Sequence, residues 1–331
     1  MSLLRKLIKP LIGTVVVYIT LSIGLVYLSE PVFKKAVEMT PEEIAQSGLN
    51  FEQNYQSQKI SLEARDGVLL HGDIFAADSN ITILLVHGIL ANSFQFNSAA
   101  GMLKEATGAS VITLDMRGHG QSGGKPGALD YNDHYLDDLN DVMLQLKNEQ
   151  PNGQIILAGH SMGGGIATRY AQKESVVKPD GYILFAPALG WESPTTRKEE
   201  SDQNPDFAKL HLPRFIGLAM LNADGLSSWN DKNVLFFNVP DDAPLKSYSY
   251  SSLASMSPED AAKAIEAIDK PLLVIVGEND EVFYADRYEE LVVKNSRGST
   301  HIIERANHNS ITHDLSAIKV VKNWFTEQGF K

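Results

Sequence analysis

The feature that most constrains this 331-residue chain is a set of short runs that are apolar almost from end to end, such as Ile81-Thr82-Ile83-Leu84-Leu85-Val86 and Leu272-Leu273-Val274-Ile275-Val276. A strand with one wet face alternates apolar and polar residues. A strand that is apolar throughout must be covered on both faces, as in a parallel sheet flanked by helices. Strand candidates lie at 59–64, 69–75, 81–86, 110–115, 154–159, 181–185, 272–277 and 300–304. Helical patterns separate many of them, at 94–106, 133–149, 162–173, 285–295 and 311–327. The first two strands flank Arg65-Asp66-Gly67, a hairpin signal. The alternation predicts an α/β fold, with a mostly parallel eight-stranded sheet and helices on both faces.

The pattern breaks twice. Between Ala188 and Pro258 it gives way to scattered prolines and aromatics with one apolar segment at 207–221. About seventy residues between two core strands are too many for a plain loop and read as a subdomain. Its stripe Phe207, Leu210, Phe215, Leu218, Leu221 lines an acyl channel or forms the subdomain's own core. At the other end, residues 11–28 carry no charged side chain. Eighteen helical residues span about 27 Å, close to the hydrocarbon thickness of a bilayer. Tyr27-Leu28-Ser29-Glu30-Pro31 is a poor cleavage site. An uncleaved membrane anchor over 1–30 is therefore expected, ahead of a cleaved signal or a buried helix. Arg5, Lys6 and Lys9 before the run, against Lys34 and Lys35 after it, point the body to the extracytoplasmic side. Residues 31–57 read as a stalk. The body then comprises 58–187 and 259–331, with 188–258 inserted.

Composition narrows the function. A net charge of −12 argues against a nucleic-acid partner, which needs a basic face. With no cysteine, disulfides, thiolate metal sites, a cysteine nucleophile and a lipidated cysteine are all excluded.

Gly159-His160-Ser161-Met162-Gly163 follows an apolar run and precedes Gly164-Gly165-Ile166-Ala167. Strand, sharp turn and helix with serine at the apex is the context in which G-x-S-x-G marks a nucleophile. A serine hydroxyl needs an imidazole base, and the base needs a carboxylate. In open α/β sheets such groups belong in loops at the carboxyl ends of strands. Asp280 follows the strand at 272–277, and His308 follows the strand at 300–304, so the order is Ser161, Asp280, His308. Glu278 is an alternative acid and His313 an alternative base. His301 falls inside a strand. His87, His119 and His160 sit in turn motifs without metal-ligand spacing and read as loop braces. Asp115 and Arg117 are expected to pair with each other.

This ordered set resembles the α/β-hydrolase fold, in the branch that includes monoacylglycerol lipases, lysophospholipases and serine aminopeptidases. The resemblance is carried by His87-Gly88, by Asp115-Met116-Arg117-Gly118-His119-Gly120-Gln121-Ser122, by Gly159-His160-Ser161-Met162-Gly163-Gly164 and by the triad. It covers roughly residues 58–330. It implies that Asp280 is the acid and that the N–H groups of Ile89 and Met162 form the oxyanion hole; the insertion at 188–258, read as a cap, carries no motif that matches. Met162 also has a physical warrant, because it opens a helix whose dipole favours an anion. The expected function is a serine hydrolase acting on carboxylic esters such as monoacylglycerols or lysophospholipids, with no metal or cofactor. An aminopeptidase of the same fold is the alternative. It would use acidic residues such as Glu192, Glu199 and Glu200 to hold a substrate ammonium. A non-catalytic binding protein is the third reading.

Overall fold

A computed structural model describes residues 2–33, 40–174, 176–198 and 207–330. In chain order the first elements are α1 (Ser2–Val26), α2 (Pro41–Ser47), β1 (Gln58–Glu63), β2 (Leu69–Phe75), β3 (Ile81–Val86), α3 (Asn97–Thr107), β4 (Ser110–Leu114) and α4 (His134–Glu149). Next come β5 (Gln154–His160), α5 (Met162–Gln172), β6 (Gly181–Phe185), β7 (Ala208–Leu210), α6 (Leu212–Ala223), β8 (Asn233–Phe237), β9 (Ser247–Ser249), α7 (Tyr250–Met256) and α8 (Ala261–Glu266). The chain closes with β10 (Leu272–Gly277), α9 (Tyr288–Asn295), β11 (Ser299–Ile303) and α10 (Leu315–Gln328).

The all-apolar runs become the middle of an eight-stranded sheet of order β1-β2-β4-β3-β5-β6-β10-β11. The hairpin strand β2 runs antiparallel to both β1 and β4, and every other pairing is parallel. All residues of β3, β4, β6 and β10 are buried, as strands covered on both faces must be. Helices α3 and α10 pack together, while α4, α5, α8 and α9 form a separate series of contacts. These two groups cover the two faces. From β3 the chain crosses to β4 on one side and later returns to β5 on the other. The ends of β3 and β5 therefore form the switch point at which open α/β sheets bind ligands.

The insertion between β6 and β10 does have a structure of its own. Strands β7, β8 and β9 form a small antiparallel sheet next to α6. Here the stripe at 207–221 divides. Leu218 and Leu221 are buried with Val234 and Val26, and Phe215 packs against them. Phe207 and Leu210 are exposed. The apolar stripe is thus partly a core, and it is closed by a residue of α1.

That contact changes the reading of the amino terminus. Among the described residues no helix is long and apolar enough to cross a membrane, so the expected transmembrane anchor is not supported. Instead the end of α1 lies against α6. Gly217 permits the approach, since a Cβ there would meet the Ser22 carbonyl and Leu25. Ser22 and Val26 are buried, and the Tyr18 hydroxyl donates to the Met220 carbonyl at 3.1 Å. Arg214, itself buried, donates to the Val26 carbonyl at 2.8 Å and pairs with Glu30 at 3.1 Å. Val15, Val16, Val17 and Leu21 remain exposed. Within the expected stalk, residues 34–39 lie outside the described residues.

Candidate active site

The site is assembled where β3, β5, β10 and β11 end. Parallel register sets Val86 beside Gly159. Two residues further on, Gly88 arrives beside Ser161, and a Cβ on Gly88 would lie 3.4 Å from the Ser161 Cβ. The turn between β5 and α5 is as sharp as G-x-S-x-G requires. A Cβ on Gly159 would collide with the Gly163 backbone, and one on Gly163 would collide with the Val86 and His87 carbonyls. Only glycine lets the start of α5 sit this close to the sheet.

Ser161 has φ 51° and ψ −113°, a conformation costing about 1–3 kcal/mol for a residue with a side chain. Its backbone is held there from both sides. The N–H donates to the Phe185 carbonyl at 2.9 Å, and its carbonyl accepts from Gly165 at 3.0 Å and Ala188 at 2.9 Å. The strain is therefore imposed by the sheet edge and by α5.

Asp280 and His308 meet by the same logic of register. Gly277 pairs with Ile303, so the loops after β10 and β11 run side by side. His308 Nδ1 donates to Asp280 Oδ2 at 2.9 Å, leaving Nε2 for proton exchange. The other carboxylate oxygen accepts from the N–H groups of Val282 at 2.8 Å and Phe283 at 2.7 Å. Burial alone raises the Asp280 pKa. The charge of His308, its hydrogen bond and these two N–H groups outweigh burial and hold the carboxyl below the usual carboxylate range. Asp280, His308 and Ser161 are all buried. Glu278 instead accepts from the Arg305 N–H on the exposed side of its loop, and His313 bonds Thr312 beyond the site. His301 is exposed on the edge strand β11.

Ile89 and Met162 flank this geometry. Met162 is the first residue of α5, and Ile89 follows the glycine that touches Ser161. Among the described residues neither N–H donates a hydrogen bond. Met162 is buried and Ile89 half-buried, so both N–H groups stand available as donors next to the serine.

The three turn histidines brace the site, as expected. His87 donates from Nδ1 to the Gly88 carbonyl at 2.7 Å and accepts at Nε2 from Met116 at 3.1 Å. His160 donates from Nε2 to the His308 carbonyl at 2.8 Å. Burial pushes His87 down to about 4 and, with repulsion from His308, His160 down to about 3, so both rings stay neutral. Asp115 and Arg117 do not pair with each other. Asp115 accepts from the N–H groups of Ser93 at 2.6 Å and Gln121 at 2.9 Å, while Arg117 pairs with Asp138 at 2.7 Å and Asp66 at 2.8 Å. The turn brings the two side chains out in different directions, which spacing alone could not reveal.

Three residues of the site carried no sequence signal. Arg197 of the insertion donates to the Asp280 carbonyl at 3.1 Å and stacks on the Tyr284 ring. Glu281 accepts from the His308 N–H at 3.1 Å. Tyr248 of β9 meets Leu90 and His119. Of the acidic residues considered for an ammonium, Glu192 is ion-paired with Lys198 at 2.8 Å, and Glu199 and Glu200 lie outside the described residues. Among the described residues no group of three or more His, Asp or Glu could hold a metal ion.

A parallel-centred sheet with a strained serine between strand and helix, and an Asp–His pair on two later strand ends, defines an α/β hydrolase. The family model for serine aminopeptidases, S33, matches residues 77–315, and the chain belongs to that family. It is 30% identical over 222 residues to the AB hydrolase superfamily protein YisY of Bacillus subtilis, covering 63% of this chain and 78% of that one. It is 32% identical over 109 residues to the monoacylglycerol lipase of Mycolicibacterium smegmatis, covering 32% of this chain and 39% of the lipase. Among solved structures, a thermophilic esterase from Thermogutta terrifontis superposes with TM-score 0.56 at 20% identity, covering 82% of this chain and 99% of the esterase. That likeness is one of fold.

Proposed function

We propose that this protein hydrolyses carboxylic esters bearing an acyl chain, through an acyl-enzyme on Ser161. His308 Nε2 takes the Ser161 hydroxyl proton as Oγ attacks the ester carbonyl. The N–H groups of Ile89 and Met162 hold the resulting oxyanion. His308 then passes the proton to the leaving alcohol, and the acyl group stays on Ser161. Water, deprotonated by the same imidazole, releases the acid and restores the serine. Asp280 keeps the Nδ1 proton in place and stabilises the imidazolium. The observation that carries this reading is the pair of unbonded N–H donors beside a strained serine.

The finer substrate class, a monoacylglycerol or lysophospholipid, draws its support from the lipases among the relatives. On this reading residues 188–258 act as the cap over the site and select the acyl chain. An ammonium-binding carboxylate, which the aminopeptidase alternative needs, finds no support in the exposed Glu192–Lys198 pair. An extracytoplasmic location is likewise a proposal. It draws on the uncharged run 11–28 and the basic residues ahead of it. A reporter fused to the carboxyl terminus and active in the cytoplasm would overturn it.

Labelling with a fluorophosphonate tests the chemistry. Wild type should label and Ser161→Ala should not, and equal labelling of the two ends the proposal. Hydrolysis of esters of graded chain length, alongside aminoacyl amides, tests the substrate class, and faster cleavage of the amides would reverse it.

A further inference from the structure

Tyr248 has no exposed surface, and its hydroxyl joins two distant parts of the chain. It lies 2.8 Å from the Leu90 N and 2.8 Å from His119 Nε2. The chemistry of the neighbours fixes the proton order. His119 Nδ1 is 3.1 Å from the Arg117 carbonyl, which can only accept, so the ring carries its proton on Nδ1. Burial, reinforced by His87, pushes His119 down to about 3, so the ring is neutral and Nε2 is an acceptor. The Tyr248 O–H therefore donates to His119, and its oxygen accepts the Leu90 N–H. Leu90 stands directly after Ile89 and has φ 58°, in the left-handed region that a leucine enters only when held.

We infer that the Tyr248 hydroxyl is a positioning group: it holds Leu90 in this conformation and so aims the adjacent Ile89 N–H at the substrate oxyanion. The inserted segment is then part of the oxyanion machinery as well as a cover. The inference rests on the acyl-transfer reading above. A purely structural role is the competing explanation, since the Tyr248 ring also packs on Phe237 and His119 at centroid distances of 5.8 and 5.5 Å. The ring performs that packing, while the hydroxyl bonds the Leu90 N–H inside a turn that the Ala91 N–H closes onto the Gly88 carbonyl at 3.3 Å, so Tyr248→Phe removes the hydroxyl's hold on Leu90 and keeps the packing.

In the full-length protein, Tyr248→Phe should lower kcat on a short-chain p-nitrophenyl ester about ten- to a hundredfold, as for a misaimed oxyanion donor. KM should stay within about twofold. Affinity for phenylboronic acid, whose serine adduct carries a negatively charged tetrahedral oxygen, should fall by the same factor as kcat, because both report the oxyanion. A folded variant with kcat within twofold of wild type overturns the inference, and so does a loss of kcat with unchanged boronate affinity. An inactive wild type, or an active Ser161→Ala, would instead overturn the acyl-transfer reading. Amide exchange in the wild type needs no variant. The Leu90 N–H should be protected like the amides of β3, and exchange at the rate of an open loop overturns the inference even if Tyr248→Phe does not fold.

Discussion

Taking the pH from about 7.5 to about 5 loads protons onto the histidines of the unfolded chain, whose ordinary pKa is about 6.5. In the folded protein burial holds His87 at about 4 and His119 and His160 at about 3, so all three remain neutral over that interval. The unfolded state then binds more protons than the native state, and stability falls with pH. The contribution of these rings is whole above about pH 6.5 and is lost as the pH descends toward the folded values. At pH 5 each ring forgoes about 1.5 pH units of proton binding, or about 2 kcal/mol, and the three together about 6 kcal/mol. That is comparable to the whole stability of many domains, about 5–15 kcal/mol. His313, also depressed by burial, acts in the same direction. Asp280 does too, but only at lower pH, because its folded pKa lies below the carboxylate range. Urea unfolding followed by circular dichroism at several pH values measures the effect. A change below about 1 kcal/mol between pH 7.5 and 5 would refute the argument. His160→Gln keeps an N–H donor in place of Nε2 and should remove about a third of the dependence.

Asp280→Asn should leave the fold intact and lower kcat about ten-thousandfold, because Nδ1 loses its anionic partner; steady-state kinetics and the fluorophosphonate labelling rate both report it. Gly163→Ala drives a Cβ into the Val86 and His87 carbonyls and should cost about 3 kcal/mol, read as a lowered thermal midpoint. Arg117→Met leaves the buried Asp138 carboxylate without its partner and should cost about 3–5 kcal/mol by denaturant titration, with kcat per folded molecule largely retained.

Much of the core was legible because burial on both faces writes itself into composition. Strands β3, β6 and β10 begin and end where their apolar runs do. Ser161 and Asp280 could be read for a related reason: each lies just past such a run, while His308 follows the edge strand β11, and register then brings the strand ends together. The insertion was opaque. Strands of three to five residues carry too little periodicity to stand out, and the cluster around Leu218 is completed by Val26, far away in the chain. The same distance hid Tyr248, whose partners lie 129 and 158 residues away. The uncharged run at 11–28 reads as a bilayer segment because sequence records that a helix is apolar. It does not record that α6 offers it a groove.

The docking of α1 on α6 has a consequence for biosynthesis. Arg214 reaches the Val26 carbonyl across 188 residues of sequence. At about 5–20 residues per second, α1 is complete some 10–40 s before the helix that covers it exists. During that interval a nascent chain presents an uncovered apolar helix to whatever it meets, and a chaperone or a membrane competes with α6 for the same face. The α1–α6 contact is therefore one that the chain can make only late in its synthesis.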